Sequence, residues 1–415
     1  SSYKNPLIGN LKDLKISGSA FILNSIEMSS LISSSDVLVL EDSKFLFNNA
    51  KTEGTCIINK DDGKLEIKNS QFDNNHGLDA GAIRNSNKMM IKDSEFENNF
   101  CENNGGAIYN DFDGDGEISN CLFLKNKAEN NSGAIHCYTK MKISDSQFID
   151  NHALNYAGAL LNNDSTTVEI SNCKMKNNSS EKGGGAIANF GEMKINDGEF
   201  DENKCSENGG AINQQKGNLE IINNDFNSNS SKLSSGAIFI SDGKIRIENS
   251  RFNKNSSQKE GGAINNQKSE NIVIIRSEFN ENHCIQSGGA IANWKNIIIR
   301  DSEFKSNKTD ESGGAIITTG KLEIENSRFN ENISIVGGGA IFNYGDFEMA
   351  DSRFNENRST GEGGALNNQK GRMQINNCDF NHNTADRGGA MSIMNPHEVI
   401  RQGCRFNNNI PDDIN

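Results

Sequence analysis

A phenylalanine followed three residues later by asparagine returns along this chain every 24 to 27 residues. The phenylalanines are Phe45, Phe72, Phe96, Phe123, Phe148, Phe200, Phe226, Phe252, Phe279, Phe304, Phe329, Phe354, Phe380 and Phe406, with Met175 filling the one gap. A second tetrad, G-G-A-I, alternates with it, as in Gly313-Gly314-Ala315-Ile316 ahead of Phe329-Asn330-Glu331-Asn332. A fixed period of this length means a solenoid, in which each repeat buries its apolar face only against its neighbours.

Between the tetrads runs a short apolar-x-apolar stretch: Leu65/Ile67, Met141/Ile143, Ile245/Ile247, Leu322/Ile324. Each repeat therefore reads as three short strands joined by Gly, Asn, Asp and Ser turns. Helical periodicity and the L-x-x-L-x-L run of leucine-rich repeats are both missing. The fold expected is all-β: a single-stranded parallel β-helix of the pectin-lyase-like solenoid type, with about 15 coils of 24–27 residues. Phenylalanine should stack on phenylalanine, and the F-x-x-N asparagines should form a ladder at a corner. The repeat occupies residues 45–409. Residues 1–44 read as an N-terminal cap with a degenerate first coil, and 410–415 as a C-terminal tail.

Outward positions support the same register. Six before the phenylalanine (or Met175) come Glu117, Lys142, Glu169, Lys194, Glu220 and Arg246, alternating in sign. Three before it come Asp93, Asn120, Asp145, Asn172, Asp197 and Asn223, alternating carboxylate and amide. Stacked coils would then set opposite charges, or acid and amide, side by side.

Only 34% of residues are hydrophobic, enough for a thin solenoid core. The net charge of −14 disfavours nucleic acid and anionic membrane surfaces as partners. No run of 18 apolar residues occurs, so direct membrane insertion is not expected. The nine cysteines are too sparse for a disulfide framework. Cys121, Cys173, Cys378 and Cys404 replace the serine two before the phenylalanine, and Cys101, Cys205 and Cys284 replace small residues five after it, so all nine read as free thiols.

Alternating G-G-A-I and F-x-x-N tetrads resemble the repeats of the chlamydial polymorphic membrane proteins and of adhesin-like right-handed β-helix surface proteins. The resemblance implies a secreted, surface-displayed β-helix used in adhesion or cell-envelope structure.

Two local features are candidate sites. Asp111, Asp113 and Asp115 form a D-x-D-x-D-G turn like the first half of a calcium loop. The twelfth position is Leu122, where a bidentate glutamate belongs, so weak Ca²⁺ binding is the most it suggests, and no other cofactor is expected. The scarce aromatics keep phase: Tyr138, Phe190, Trp294 and Tyr344 lie three after the repeat isoleucine, and Tyr109, Phe239 and Phe342 one after it. Tyr109, Tyr138, Phe190, Trp294, Phe342 and Tyr344 are the candidate contacts for a glycan or protein on a host cell or other surface. Val273, Ile275 and Ile298 suggest a small outward apolar patch. The six histidines make no metal-spaced pair. Asn130 and Asn163 are the better-placed glycosylation sequons, since Asn178, Asn229, Asn255, Asn307, Asn332 and Asn357 belong to the expected ladder.

The function expected is non-catalytic: an extracellular or cell-surface protein acting in adhesion or as a unit of an envelope or filament, with end-to-end self-assembly through open coil ends. The alternative is a polysaccharide-binding or polysaccharide-degrading β-helix. Against degradation, no repeat exceeds 27 residues, which leaves no room for groove-building loops.

Overall fold

The computed structural model describes residues 2–3, 6–10, 12–26, 30–50, 55–394 and 399–415. It falls into two compact units, Ser1–Ser206 and Glu207–Asn415, and each is a stack of parallel β-coils. In the second unit one coil carries the strands Ile291–Asn293, Ile297–Arg300, Glu303–Lys305 and Lys308–Thr309. The next coil repeats them as Ile316–Thr318, Leu322–Glu325, Arg328–Asn330 and Ile333–Ser334. Register is residue for residue: Ile291 opposite Ile316, Ile297 opposite Leu322, Phe304 opposite Phe329. The first unit stacks the same way, with Tyr109 opposite His136 and Phe123 opposite Phe148.

The three expected strands are joined by a fourth of only two residues, such as Lys308–Thr309, just past the ladder asparagine. It is too short to show a period, but its second residue faces inward: Cys101, Ala128 and Cys284 are fully buried there.

Inside, the phenylalanine rings stack. Phe279, Phe304, Phe329 and Phe354 succeed one another at centroid distances of 4.7, 4.8 and 4.7 Å with near-parallel planes. This is the strand spacing of a sheet imposed on a ring column. Met175 is equally buried in its place. The stack begins one repeat earlier than Phe45. Phe21 lies 4.8 Å from Phe45, and Asn24 donates to Asn48 Oδ1 at 2.9 Å. Phe21-Ile22-Leu23-Asn24 is itself an F-x-x-N tetrad, hidden by the lack of a G-G-A-I partner. At the other end, Asp413 O accepts from the N–H groups of Ala390 and Met391, so residues 410–415 continue the coil rather than hang free as a tail.

The asparagine ladder forms as expected, fully buried. Along it a side-chain amide donates to the next asparagine Oδ1 and to the phenylalanine carbonyl of the preceding coil, as Asn126 does to Asn151 (3.0 Å) and Phe96 (2.9 Å); Asn203 uses the Met175 carbonyl, and Asn409 ends the ladder on Asp413. A second ladder runs along the I-x-N strands, through Asn59, Asn85 and Asn110. The residue three before phenylalanine turns the opposite corner at positive φ, which Asn and Asp tolerate. There Asn120 donates to Asp93 and Asn172 to Asp145, both at 2.7 Å.

The paired glycines have separate reasons. Gly313 sits at φ +69°, and a Cβ there would lie 2.3 Å from its own coil's Ile316 carbonyl oxygen. A Cβ on Gly314 would lie 1.9 Å from Gly339 O on the next coil. Ser235 occupies the first position at φ 59°, and its buried hydroxyl lacks a hydrogen-bond partner. Ser235→Gly should therefore stabilise the second unit. Relief of left-handed strain and of an unpaired hydroxyl outweighs the added chain entropy, for a net gain of roughly 1 kcal/mol read as a raised urea midpoint.

Candidate ligand-contact face

The middle residue of each I-x-N strand points out of the coil, and alternation alone would expose it. From His136 onward the structure buries it instead, while Ile58, Arg84 and Tyr109 are half-buried. The turn before each G-G pair folds back over this strand, and these turns stack on one another through single bridges such as Ser287 to Ser312 and Ser312 to Gly337. Small outer cores result. In the first unit Ala157, Leu161 and Ala188 pack together with Tyr156 and Phe190 against them. In the second, Ala292, Ile317 and Phe342 pack together with Trp294 against them.

This rearranges the aromatic candidates. Phe342 is only 5% exposed and Phe239 6%, so neither is a surface contact. Tyr109, Tyr138, Phe190 and Trp294 are half-buried, and Tyr344 is exposed. Val273 and Ile298 are register partners and half-buried; Ile275 lies opposite Arg300, so the patch is narrower than expected.

In the first unit the aromatics gather around a histidine that its surroundings in the sequence did not single out. His136 is 3% exposed and stacks on Tyr109 at 5.3 Å, with Tyr138 at 4.9 Å and Phe112 4.4 Å beyond that. Arg84 lies over the Tyr109 ring. Ser132 Oγ is 2.9 Å from His136 Nδ1, and Asn163 Nδ2 is 2.8 Å from Nε2. With the amide donating to Nε2, the imidazole is neutral and its Nδ1–H donates to Ser132. The only sequence signal for this cluster was phase, since His136 follows Ile135 as Tyr109 follows Ile108.

Burial lowers the His136 pKa from 6.5 to about 3. The unfolded chain therefore takes up a proton below pH 6.5 that the folded chain refuses, and stability falls as pH drops from 6.5 towards 3. At pH 5 the loss should be about 2 kcal/mol. His136→Leu, which copies Leu161 of the next coil, should remove that share of the pH dependence in urea titrations at pH 7 and pH 5.

In the aspartate turn the first carboxylate is already engaged. Arg84 binds Asp111 at 2.9 Å, and the other Asp111 oxygen accepts the Phe112 N–H, while Asp113 and Asp115 are exposed. Among the described residues no three His, Cys, Asp or Glu side chains converge as a metal site. The linear spacing concealed the competitor, because Arg84 is one coil away.

The outward charges pair as the alternation suggests, with Lys142 3.6 Å from Glu169. Both are exposed, so the pair adds little stability. The Asp145 carboxyl is held below its usual range by the Asn172 amide. All nine cysteines are free, and burial pushes Cys121 and Cys284 up to about 12, keeping them protonated. Asn178, Asn229, Asn255, Asn307, Asn332 and Asn357 are all fully buried in the ladder. Asn163 is committed to His136 and Asn130 accepts from Asn155. His397 lies outside the described residues. No helix of the described residues is long and apolar enough to cross a membrane, which does not bear on strand-crossing barrels.

Parallel coils with these inner ladders define a right-handed parallel β-helix, and residues 30–197 match the family described as right handed beta helix region. Residues 249–267 match the Chlamydia polymorphic membrane protein repeat, and the repeats of this chain are similar to that family's. No curated protein matches the chain. A solved structure described as a new PL6 alginate lyase complex with trisaccharide covers 95% of this chain and 83% of its own at 10% identity, with a TM-score of 0.25. Similarity that low carries no argument about activity.

Proposed function

We propose that this protein is a non-catalytic β-helix of the cell surface or extracellular space, acting in adhesion or as a structural unit of an envelope or filament. One observation carries the reading. The polar side chains that recur in every coil are used in coil-to-coil pairing: the buried Asn126–Asn151 ladder, the Asn120–Asp93 corner, the outward Lys142–Glu169 pair. The repeated chemistry maintains a scaffold, and the residues that break the repeat are the aromatics of the outer face. Similarity to a repeat named for membrane proteins supports the location.

Protease treatment of intact producing cells tests the location. The chain should be shaved from the surface, and protection until lysis would overturn the reading. The polysaccharide-degrading alternative predicts new reducing ends when the purified protein is incubated with neutral and uronate polymers. The proposal expects none.

A further inference from the structure

Three residues past each repeat isoleucine, the chain leaves the strand at a point fixed by a backbone hydrogen bond to the coil before. Thr319 N donates to Asn293 O at 3.0 Å and Tyr344 N to Thr318 O at 2.9 Å, so Trp294, Thr319 and Tyr344 lie in one column on successive coils. From Gln267 onward that column reads Gln267, Trp294, Thr319, Tyr344, Gln369, Met394, after two further polar residues, Gln215 and Ser241. Across the six coils from Gln267 to Met394, polar and large apolar side chains alternate coil by coil. The fold repeats every coil, and nothing in its packing requires a period of two. The first unit shows the same alternation in Tyr138, Asn163 and Phe190.

We infer that this column is a binding track for a neutral, linear β-1,4-linked polysaccharide lying parallel to the stacking direction. The inference rests on the surface reading above and names its ligand class. Adjacent coils are 4.7–4.8 Å apart at their phenylalanine rings, so Trp294 and Tyr344 are separated by roughly 9.5 Å, twice the strand spacing of a sheet. An extended β-1,4-linked chain turns each ring over relative to the last. Every second ring therefore presents the same face, at an advance close to that two-coil step. The C–H groups of a pyranose face carry slight positive charge and sit well on the negative face of an aromatic ring. The intervening ring then meets Thr319, which offers a hydroxyl at the same level. An α-1,4-linked chain curls and cannot keep this register.

The platform is held from behind and open in front. Trp294 packs on the outer core of Ala292, Ile317 and Phe342, and Tyr344 stands edge-on to Phe342 at 5.0 Å. Fixed side chains lose little entropy on binding. Tyr344 is 42% exposed and Thr319 is exposed. Gly320 and Gly345 follow Thr319 and Tyr344, and a Cβ on Gly345 would lie 2.1 Å from Gly320 O, so the edge beside those two residues stays bare of side chains, whereas Lys295 follows Trp294. Beside Trp294, Thr319 and Tyr344 the flanking charges are paired: Lys295 with Glu270 at 2.9 Å, Lys321 with Glu348 at 3.2 Å, Arg372 with Asp346 at 3.3 Å; Lys268 and Lys370, next to Gln267 and Gln369, are exposed. Over the Trp294–Tyr344 stretch, that favours an uncharged sugar chain over a uronate.

Trp294 is the only tryptophan in the protein, so its emission reports the track directly. The test is a fluorescence titration of the whole chain with cellohexaose and chitohexaose, against maltohexaose and a mannuronate hexamer. A saturable emission change with at least one neutral β-1,4 hexamer is expected, with affinity at least tenfold weaker for its disaccharide, which covers one platform only. Tyr344→Ala should weaken hexamer binding at least tenfold, with circular dichroism showing the fold retained. No saturable change with either neutral β-1,4 hexamer overturns the proposal. So does an equal response to maltohexaose, a stronger response to the mannuronate hexamer, or unchanged affinity in Tyr344→Ala. In that event a protein partner for this face becomes the better reading. The two conclusions separate cleanly. A chain shaved from intact cells but silent in the titration keeps its surface assignment and loses this site. A chain protected in cells but responsive in the titration does the reverse.

Discussion

Phe304→Ala should destabilise the second unit by about 4 kcal/mol, within the range for emptying a buried aromatic site. Phe304 is fully buried and stacked on both sides, 4.7 Å from Phe279 and 4.8 Å from Phe329. Alanine leaves a ring-sized void, and its neighbours are hydrogen-bonded in register on both flanks, which limits collapse. Two ring contacts are lost as well. In a stacked solenoid each coil is stabilised through its neighbours, so the weak coil should also divide the unit. Guanidinium unfolding should shift to lower denaturant and broaden, and hydrogen exchange should accelerate first around Arg328–Asn330 and Glu278–Asn280. Phe304→Met should cost only about 1 kcal/mol, because an unbranched side chain of similar volume can fill the slot. Met175 already does so, with no exposure. A similar loss for both substitutions would mean that ring volume is not what the column requires.

The phenylalanine column and the asparagine ladder could be read from the sequence because each is a single residue type at a fixed phase, and in-register stacking makes phase equivalent to contact. The corner pairs Asp93–Asn120 and Asp145–Asn172 were readable for the same reason. Three other features did not follow from phase. The two-residue strand is too short to alternate. The burial of Phe342 depends on a turn folding back across the strand, which alternation within that strand cannot reveal. The Arg84–Asp111 pair spans two coils, so a motif read along the chain does not show that its first carboxylate is engaged by an arginine. Phe21 was overlooked because only one of the two tetrads marks its coil. The outer face was thus visible as a list of aromatics but not as a surface. The sequence shows which coils carry them, and the structure shows which of them solvent reaches.

Asn307→Ala should cost roughly 4 kcal/mol, comparable to the ring deletion although far less volume is removed. Asn307 Nδ2 donates to Asn332 Oδ1 at 3.0 Å and to Phe279 O at 2.8 Å. Its Oδ1 accepts from both the backbone N–H and the side-chain amide of Asn282 at 3.0 Å. Alanine breaks all four at once in a fully buried corner. The Asn282 N–H then loses its acceptor where water cannot replace it, at about 1–3 kcal/mol for such a group, and the remaining lost bonds add to that. Asn307→Asp separates hydrogen bonding from shape. The carboxylate keeps the acceptor for Asn282 but has no proton for Phe279 O or Asn332 Oδ1, and burial favours its neutral form. Its folded pKa should therefore rise above the unfolded value. Sign follows from linkage: the aspartate variant is nearest wild type in acid and loses stability as pH rises from about 4 towards neutrality. The alanine deficit should not change over that interval. Urea midpoints at pH 4, 5.5 and 7 distinguish the two, and parallel curves for both variants would show that the ladder contributes packing rather than directed hydrogen bonds.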